Sequence, residues 1–262
     1  MDVLCVDYTG FNDMKITSFD ILGVPAHSVD FGIAISAIEE LFTDGSDRKY
    51  VVALNAEKIM MARRNPEIMQ ILKDAYLLIP DGVGVSLASR ILYGQPVPRV
   101  PGYDLFLKLA DMAAAKRLRV FLMGGYADVV NATRVELTKS YPGIHIAGVH
   151  HGYFGDDEPI IDLINKCKPD VLFVGMGSPR QEKWIHKNIS RLGVKLCFGV
   201  GGSFDVITGR TKLAPASVRR LGFEFVYRLL VNPRRLRRQL VFPNFLASLL
   251  ATRTKLMRSN KT

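Results

Sequence analysis

The sequence predicts an α/β fold in which helices cover both faces of a mostly parallel β-sheet. From residue 49 onward, short apolar segments rich in β-prone residues alternate with longer segments whose apolar residues have helical spacing. Glycine or polar residues follow several of the apolar segments directly, as they do where a strand turns into a helix. Parallel strands need a long crossover, usually a helix, so this alternation predicts right-handed βαβ units and a Rossmann-like sheet.

Each element has its own local signal. Pro66 divides a long helical segment after Asn65, and Pro179 lies early in another, because proline is tolerated in the first turn of a helix and disrupts its interior. The first 48 residues are less regular, and residues 21–30 fit either a short hairpin or an edge strand. Strands are predicted at residues 50–54, 76–79, 119–123, 144–149, 171–174 and 195–198. Helices are predicted at residues 31–41, 57–75 with its break, 83–93, 103–116, 128–140, 158–167 and 179–192.

Most of the net charge of +10 lies at the C-terminal end of the chain. Residues 210–262 hold 13 Lys or Arg and one acid, Glu224, whereas residues 1–209 hold 22 basic and 24 acidic side chains. We therefore divide the chain into an α/β domain, residues 1–209, which carries any catalytic site, and a basic appendage, residues 210–262.

The appendage combines arginines with large apolar residues at helical spacing, which is the composition of a helix that lies in a membrane interface. Pro243 predicts a break between two short helices. Two alternatives remain: a helical appendage that packs on the α/β domain and leaves its arginines in solvent, and a tail that binds nucleic acid. We favour the membrane over nucleic acid because the large apolar residues exceed what phosphate binding needs.

The cysteines and the N-terminal residues indicate the compartment. Cys5, Cys167 and Cys197 are odd in number and widely spaced, which argues against a disulfide framework and for a reducing compartment. Residues 1–10 lack the basic start of a signal peptide, and no apolar run approaches the ~18 residues that span a bilayer. We expect a cytoplasmic protein that is not an integral membrane protein.

Asp81 is the first candidate for a catalytic base. It follows an apolar strand in the segment Ile79-Pro-Asp-Gly-Val-Gly84 and precedes a helix. Ligands of α/β proteins bind just beyond the carboxyl ends of the strands, where this turn places a single carboxylate. An Asp-Gly pair also serves as a simple turn, so the assignment needs support from the neighbouring strand ends.

Other strand ends carry glycine or polar residues that can meet Asp81 at one edge of the sheet. Glycines let backbone amides approach a ligand and helix N-termini favour anions, so this edge predicts a nucleotide-diphosphate site. The chain has neither the dinucleotide fingerprint nor a P-loop. Asp205 is suited either to accept hydrogen bonds from ribose hydroxyls or to cap a turn. The candidate binding residues are Asn55, Gly124, Gly125, Gly177, Gln181 and Asp205; the neighbours Arg180, Glu182 and Lys183 are expected on a solvated face.

Metal ligation is poorly supported. No Asp-x-Asp pair occurs, and the carboxylate run at residues 156–158 is explained by capping of the helix that follows. His150 and His151 are adjacent, so on a strand they point to opposite faces. We expect no metal, and the charge of a leaving diphosphate would then be met by Arg, Lys and backbone amides.

Six motifs in order give the chain a specific resemblance. They are Asn55-Ala-Glu-Lys, Pro80-Asp-Gly-Val-Gly, Arg99-Val-Pro-Gly-Tyr-Asp, Gly177-Ser-Pro-Arg-Gln-Glu-Lys-Trp, Gly199-Val-Gly-Gly-Ser-Phe-Asp and Gly222-Phe-Glu-Phe-Val-Tyr-Arg. Over residues 21–250 the chain resembles the WecG/TagA/CpsF glycosyltransferases, glycosyltransferase family 26. The resemblance implies a GT-E type fold and metal-independent, inverting transfer of a sugar from a UDP donor to a polyprenyl-diphosphate-linked saccharide. It also implies a peripheral protein on the inner face of the cell membrane.

The same resemblance implies roles for particular residues. The family's catalytic base is the Asp of its Pro-Asp-Gly turn, which here is Asp81. The family's other site residues match Asn55 and Gln181 at the donor site and the arginines Arg228, Arg235 and Arg238, which close over the diphosphate.

One departure bears on the donor sugar. Many members carry Thr two residues before the donor-site Asn, where this chain has Ala53, and that difference is compatible with another sugar. We therefore expect UDP-glucose and a β-glucosyltransferase of exopolysaccharide assembly, with UDP-N-acetylmannosamine or its uronic acid, in teichoic acid or enterobacterial antigen assembly, as the alternative. A nucleotide-binding oxidoreductase and a non-catalytic nucleotide- or membrane-binding protein remain open. The expected partners are the UDP-sugar, the lipid-linked acceptor and an anionic membrane surface, without nucleic acid or cofactor; a homo-oligomer is compatible with the sequence.

Overall fold

The protein has the predicted α/β architecture. The computed structural model describes residues 16–43, 48–215, 217–218, 227 and 241–259, and the structural statements below concern these residues. The strands are β1 (Ser18–Ile21), β2 (Val24–His27), β3 (Lys49–Leu54), β4 (Leu77–Pro80), β5 (Arg119–Gly124), β6 (His145–His150), β7 (Val171–Gly175) and β8 (Leu196–Gly199). The helices are α1 (Phe31–Glu40), α2 (Ala56–Arg64), α3 (Pro66–Lys73), α4 (Val83–Tyr93), α5 (Gly102–Ala115), α6 (Ala127–Ser140), α7 (Glu158–Cys167), α8 (Arg180–Asn188), α9 (Ser203–Ile207) and α10 (Val241–Ser259).

Six strands form one parallel sheet in the order β4-β3-β8-β7-β5-β6. Alternate side chains of each strand enter two cores, one on each face, because successive residues of a strand point in opposite directions. In β3, Val51 and Ala53 pack with α1, α5 and α6, whereas Val52 and Leu54 pack with α2, α3 and α4. Burial on both faces explains why these strands read as continuous apolar runs in the sequence.

Residues 21–30 form part of a hairpin, the first of the two predicted alternatives. The hairpin begins at Ser18 and pairs β1 with β2 in antiparallel register around a two-residue turn, Leu22-Gly23. Both turn residues have positive φ, 58° and 90°, which matches the right-handed twist of a hairpin. The Asp20 carboxylate accepts a hydrogen bond from the Gly23 amide at 2.7 Å and holds the turn.

The predicted break after Asn65 is confirmed. The side-chain oxygen of Asn65 accepts hydrogen bonds from the amides of Glu67 and Ile68, at 2.9 and 3.3 Å, and so caps α3, which starts at Pro66. The predicted helix at residues 179–192 ends earlier as an α-helix, and a single 3-10 turn, Ile189–Arg191, completes it.

The predicted break at Pro243 falls at the edge of the described residues, since those just before Val241 lie outside them. Helix α10 begins at Val241 and runs through Pro243 without interruption to Ser259. Pro243 lies in the first turn, where the backbone nitrogen of any residue lacks a carbonyl partner within the helix, so proline costs no hydrogen bond there.

Helix α10 packs on the α/β domain. Phe245 and Leu249 are completely buried in the core that contains α2 and α4, and the Arg63 guanidinium donates a hydrogen bond to the Ser248 hydroxyl at 2.6 Å. The basic residues Arg253 and Lys255 remain exposed farther along the helix. This part of the appendage therefore fits the packed-helix alternative, and its basic end is exposed. No helix in the described ranges is both long enough and apolar enough to cross a bilayer.

His27 makes the stability of the fold pH-dependent. Its Nδ1 accepts a hydrogen bond from the Leu78 amide at 3.1 Å, and burial lowers the pKa of His27 from 6.5 to about 4. The unfolded chain therefore takes up a proton at His27 below pH 6.5, and the folded protein does so only near pH 4. We expect His27 to contribute a loss of about 3 kcal/mol in the free energy of unfolding as the pH falls through this window. Urea unfolding at several pH values, compared with His27→Gln, measures this; an identical pH dependence in the variant would contradict it.

Candidate active site at the carboxyl edge of the sheet

A cleft of about 330 Å³ opens at the carboxyl ends of β3, β4, β7 and β8. This is the edge at which parallel α/β sheets bind their ligands. The loops after these four strands form the floor, and the segment before α5, the segment after α9 and the first turn of α10 form walls. Of the predicted site residues in the described ranges, the cleft is lined by Asn55, Asp81, Gly177 and Gln181.

Asp81 stands at the end of β4 and is held in place by its backbone and its side chain. The Asp81 amide donates to the Leu54 carbonyl of the neighbouring strand at 2.8 Å. One carboxylate oxygen, Oδ1, accepts a hydrogen bond from the Gly102 amide at 3.1 Å, at the start of α5. Gly82, which follows, has a φ of 89°, a conformation that favours glycine. The half-buried carboxylate is thus oriented by two elements and faces the cleft.

Asn55 combines a local structural contact with a place in the cleft. It is the N-cap of α2, where its side-chain oxygen accepts a hydrogen bond from the Lys58 amide at 3.0 Å. This cap fixes the orientation of the carboxamide at the end of β3, the strand beside β4. The predicted donor-site residue therefore lies on the loop adjacent to the Asp81 turn.

Gln181 is buried and ties two glycine loops together. Its side-chain oxygen accepts hydrogen bonds from the amides of Gly177, at 3.2 Å, and Gly201, at 3.0 Å. Its side chain also packs against Gly199, where an added Cβ would lie only 2.5 Å from the Gln181 nitrogen. Gln181 lines the same cleft as Asp81, and its amide oxygen binds the protein's own backbone. Its role in binding the donor stays a prediction.

Glu182 is buried, whereas the sequence predicted that it lies on a solvated face. Its side chain is buried and accepts hydrogen bonds through Oε1 from Lys58 and from the Gln181 amide nitrogen, both at 3.0 Å. Burial raises the pKa of Glu182, but the charge and hydrogen bond of Lys58 outweigh this and hold the pKa below its ordinary value. The charged pair was missed because its members are far apart in the sequence. Arg180 is exposed as expected, and Lys183 is half-buried in an ion pair with Glu67.

The described part of the cleft does not include Gly124, Gly125 or Asp205. Gly124 permits close packing of strand ends, since an added Cβ would lie 2.4 Å from the Gly175 carbonyl oxygen. The Gly125 amide already donates to that same carbonyl at 3.0 Å. These glycines therefore have a structural reason to be glycine, and their binding role stays a prediction.

Asp205 lies near an exposed aromatic pair beside the cleft. Tyr126 and Tyr153 stack with ring centroids 4.7 Å apart, and the Arg180 guanidinium lies 5.6 Å from the Tyr153 centroid. The hydrogen bond with Tyr126 raises the pKa of the Tyr153 phenol, and the charge of Asp205 adds to this effect while Arg180 opposes it. The sequence does not indicate this aromatic ledge, formed by Tyr126, Tyr153 and Arg180, because its members follow three different strands.

Lys212 adds a positive charge to the cleft. The segment around it is anchored, since Arg210 pairs with Asp128 and the Thr211 amide donates to the Asp205 carbonyl at 2.8 Å. The Lys212 side chain is exposed at the cleft. The predicted diphosphate residues Arg228, Arg235 and Arg238 lie outside the described residues. Within the described ranges, no three His, Cys, Asp or Glu side chains form a group that could hold a metal ion.

The sheet is parallel and doubly wound, and it presents a fixed carboxylate and glycine loops at its carboxyl edge. These features are typical of α/β proteins that bind anionic ligands at that edge. The chain belongs to the Glycosyl transferase WecG/TagA/CpsF family, whose profile it matches over residues 19–260. The protein is therefore a glycosyltransferase, as the six motifs predict, and the oxidoreductase and non-catalytic alternatives have no support.

Three similar proteins share the name N-acetylglucosaminyldiphosphoundecaprenol N-acetyl-beta-D-mannosaminyltransferase. The protein from Bacillus spizizenii is 35% identical over 246 residues, which cover 94% of this chain and 90% of the relative. The Bacillus subtilis protein is 34% identical over 216 residues, covering 82% and 84%. The Staphylococcus aureus protein is 32% identical over 242 residues, covering 92% and 95%. These names describe mannosaminyl transfer, so they support the alternative donor and not the UDP-glucose expected from Ala53.

Proposed function

We propose that the protein transfers N-acetylmannosamine from its UDP derivative to an N-acetylglucosaminyl-diphosphate-polyprenol. The observation that carries this proposal is the fixed Asp81 carboxylate in a cleft whose floor is made of glycine loops. The three relatives named as N-acetylmannosaminyltransferases support the sugar and the lipid-linked acceptor. Ala53 lines the same cleft, and we propose that its missing hydroxyl leaves the identity of the sugar unchanged.

Asp81 acts as the general base. The Gly102 amide binds Oδ1, so the second oxygen of the carboxylate can accept the proton of the acceptor hydroxyl. The hydroxyl oxygen attacks the anomeric carbon of the donor sugar as the bond from that carbon to the diphosphate breaks. The bonding electrons leave with UDP, and attack from the opposite face inverts the anomeric configuration.

The charge of the departing UDP is met by cations and backbone amides without a metal ion. Lys212 supplies a positive charge at the described part of the cleft, and the predicted arginines Arg228, Arg235 and Arg238 supply more. The aromatic ledge can stack on the planar base of the donor. Asp205, whose charge acts on Tyr153, then accepts hydrogen bonds from the ribose hydroxyls.

The basic end of α10 holds the protein at an anionic membrane surface. Arg253, Lys255 and Arg258 are exposed there, together with Leu250 and Met257. This combination suits a helix that lies on a bilayer, where the lipid-linked acceptor resides. The division into an α/β domain and a membrane-binding appendage is proposed on the same grounds, with the first half of α10 packed on the domain.

Replacing Arg253, Lys255 and Arg258 by Gln should weaken sedimentation with anionic vesicles about 100-fold, since each basic residue contributes ~1 kcal/mol. The matched control replaces Arg134, Lys139 and Lys166, which are exposed on α6 and α7, and so removes the same charge elsewhere. Equal losses in both variants would contradict a binding role for α10.

A donor panel tests the proposed function. Purified protein is incubated with a lipid-linked N-acetylglucosaminyl diphosphate and either UDP-N-acetylmannosamine, its uronic acid or UDP-glucose, with a chelator present. We expect the acceptor mass to increase by one N-acetylhexosamine, at a rate that the chelator does not change. Transfer from UDP-glucose alone would contradict the proposed donor, and loss of transfer with chelator would contradict the metal-independent mechanism.

A further inference from the structure

The geometry points to Lys58 and Glu182 as positioning residues that set the orientation of the Gln181 amide and, through it, the donor-binding loops. This inference rests on the proposed function, because the loops it concerns form the floor of the proposed UDP-sugar site. The three side chains join segments that follow three different strands, β3, β7 and β8. All three are buried, with Gln181 only 1% exposed.

Gln181 can bind the two loops in one orientation only. Its oxygen accepts from the Gly177 and Gly201 amides, so a rotation that exchanged the oxygen and the nitrogen would place an NH₂ group against two N–H donors. The Gln181 nitrogen therefore needs an acceptor on its other side, and a group that accepts without donating favours this orientation most strongly. An ionised carboxylate meets this requirement, and Glu182 Oε1 lies 3.0 Å from the Gln181 nitrogen.

Lys58 keeps that carboxylate ionised and in place. Its ammonium group lies 3.0 Å from Glu182 Oε1 and also donates to the Ala53 carbonyl at 2.7 Å. A buried charge without a partner is strongly unfavourable, so the pair forms as a unit. The hydrogen bond from Lys58 to the Ala53 carbonyl attaches the ion pair to the end of β3. That strand end lies next to Asn55 and beside the Asp81 turn of β4.

A buried ion pair of this kind is not needed for stability alone, since apolar residues of similar volume often serve equally well. The arrangement of acceptor and donors has another consequence: it fixes the Gly177 and Gly201 amides at the cleft. Those loops are where glycine allows close approach of the backbone to a diphosphate.

Two double variants separate positioning from stability. Lys58→Met/Glu182→Gln removes both charges and keeps an acceptor oxygen for Gln181, whereas Lys58→Met/Glu182→Leu removes both charges and the acceptor. Thermal unfolding of the two variants shows whether they are comparably folded. UDP binding by titration calorimetry and hydrogen exchange of the Gly177 and Gly201 amides are then measured for both and for the wild type.

We expect the Leu-containing variant to bind UDP about tenfold more weakly than the Gln-containing variant, and its Gly177 and Gly201 amides to exchange faster. Equal affinity and equal exchange in two folded variants would overturn the inference while leaving the proposed function intact. A wild-type protein that does not bind UDP would overturn the proposed function and, with it, the donor role of these loops.

Discussion

Asp81→Asn should lower kcat for sugar transfer by about 10²- to 10⁴-fold, the usual contribution of a general base. The asparagine oxygen can still accept the hydrogen bond from the Gly102 amide, so the turn and the cleft should keep their shape. Only the ability to take a proton from the acceptor hydroxyl is lost. Steady-state rates with saturating donor and lipid-linked acceptor measure the effect, and UDP titration should give a Kd close to that of the wild type.

Asp111→Asn is the matched control for this prediction. Asp111 lies on α5, about half exposed, and its carboxylate pairs with Lys108 away from the cleft, so transfer should be unchanged. If Asp81→Asn retained near-wild-type turnover, Asp81 would not be the base. If it lost UDP binding as strongly as turnover, the residue would contribute to donor binding and not to proton transfer.

Phe245→Ala should lower the free energy of unfolding by about 3–5 kcal/mol, the usual cost of truncating a fully buried phenylalanine. For a domain of this size the melting temperature should fall by roughly 6–20 °C. The phenylalanine fills the space above Gly84, whose added Cβ would lie 3.8 Å from its ring, so truncation leaves a cavity between α10 and α4. Because Phe242 of the same helix lines the cleft, transfer should also weaken.

Leu250→Ala provides the comparison on the same helix. Leu250 is 50% exposed, and its truncation should change the free energy of unfolding by no more than about 0.5 kcal/mol. Denaturant unfolding of both variants gives the two values directly. Similar small effects for Phe245 and Leu250 would mean that α10 does not pack on the domain in solution.

The burial of Phe245 also means that deleting the whole appendage exposes core surface, so point variants test membrane binding more cleanly than truncation.

The sheet and its helices could be predicted from the sequence because the residue patterns that indicate them are local. Strands buried on both faces appear as apolar runs, and Asn65-Pro66 marks a helix boundary through the chemistry of two adjacent residues. The place of Pro243 within α10 could not be predicted from local signals in the same way. Proline has opposite effects in the first turn and in the interior of a helix, and only the structure shows that Pro243 lies in the first turn.

The position of a site residue could be predicted where it depends only on the strand end or helix start next to that residue in the sequence. Asp81 at a strand end and Asn55 at a helix start lie where their motifs place them. The Lys58–Glu182 pair was not predictable, since it depends on α2 meeting α8 across strands that are distant in the chain. Glu182 was expected on a solvated face with Arg180 and Lys183, but a buried cation offsets the usual preference of a carboxylate for water. The aromatic ledge likewise exists only because the segments that follow β5, β6 and β7 come together.

Acceptor-dependent release of UDP from UDP-N-acetylmannosamine tests the central claim most directly. UDP should appear only when the lipid-linked N-acetylglucosaminyl diphosphate is present, with one UDP formed for each acceptor molecule extended. Release of UDP at the same rate without the acceptor would indicate hydrolysis, and no release in its presence would exclude this donor and acceptor pair. Either result would contradict the proposed transfer at the Asp81 cleft.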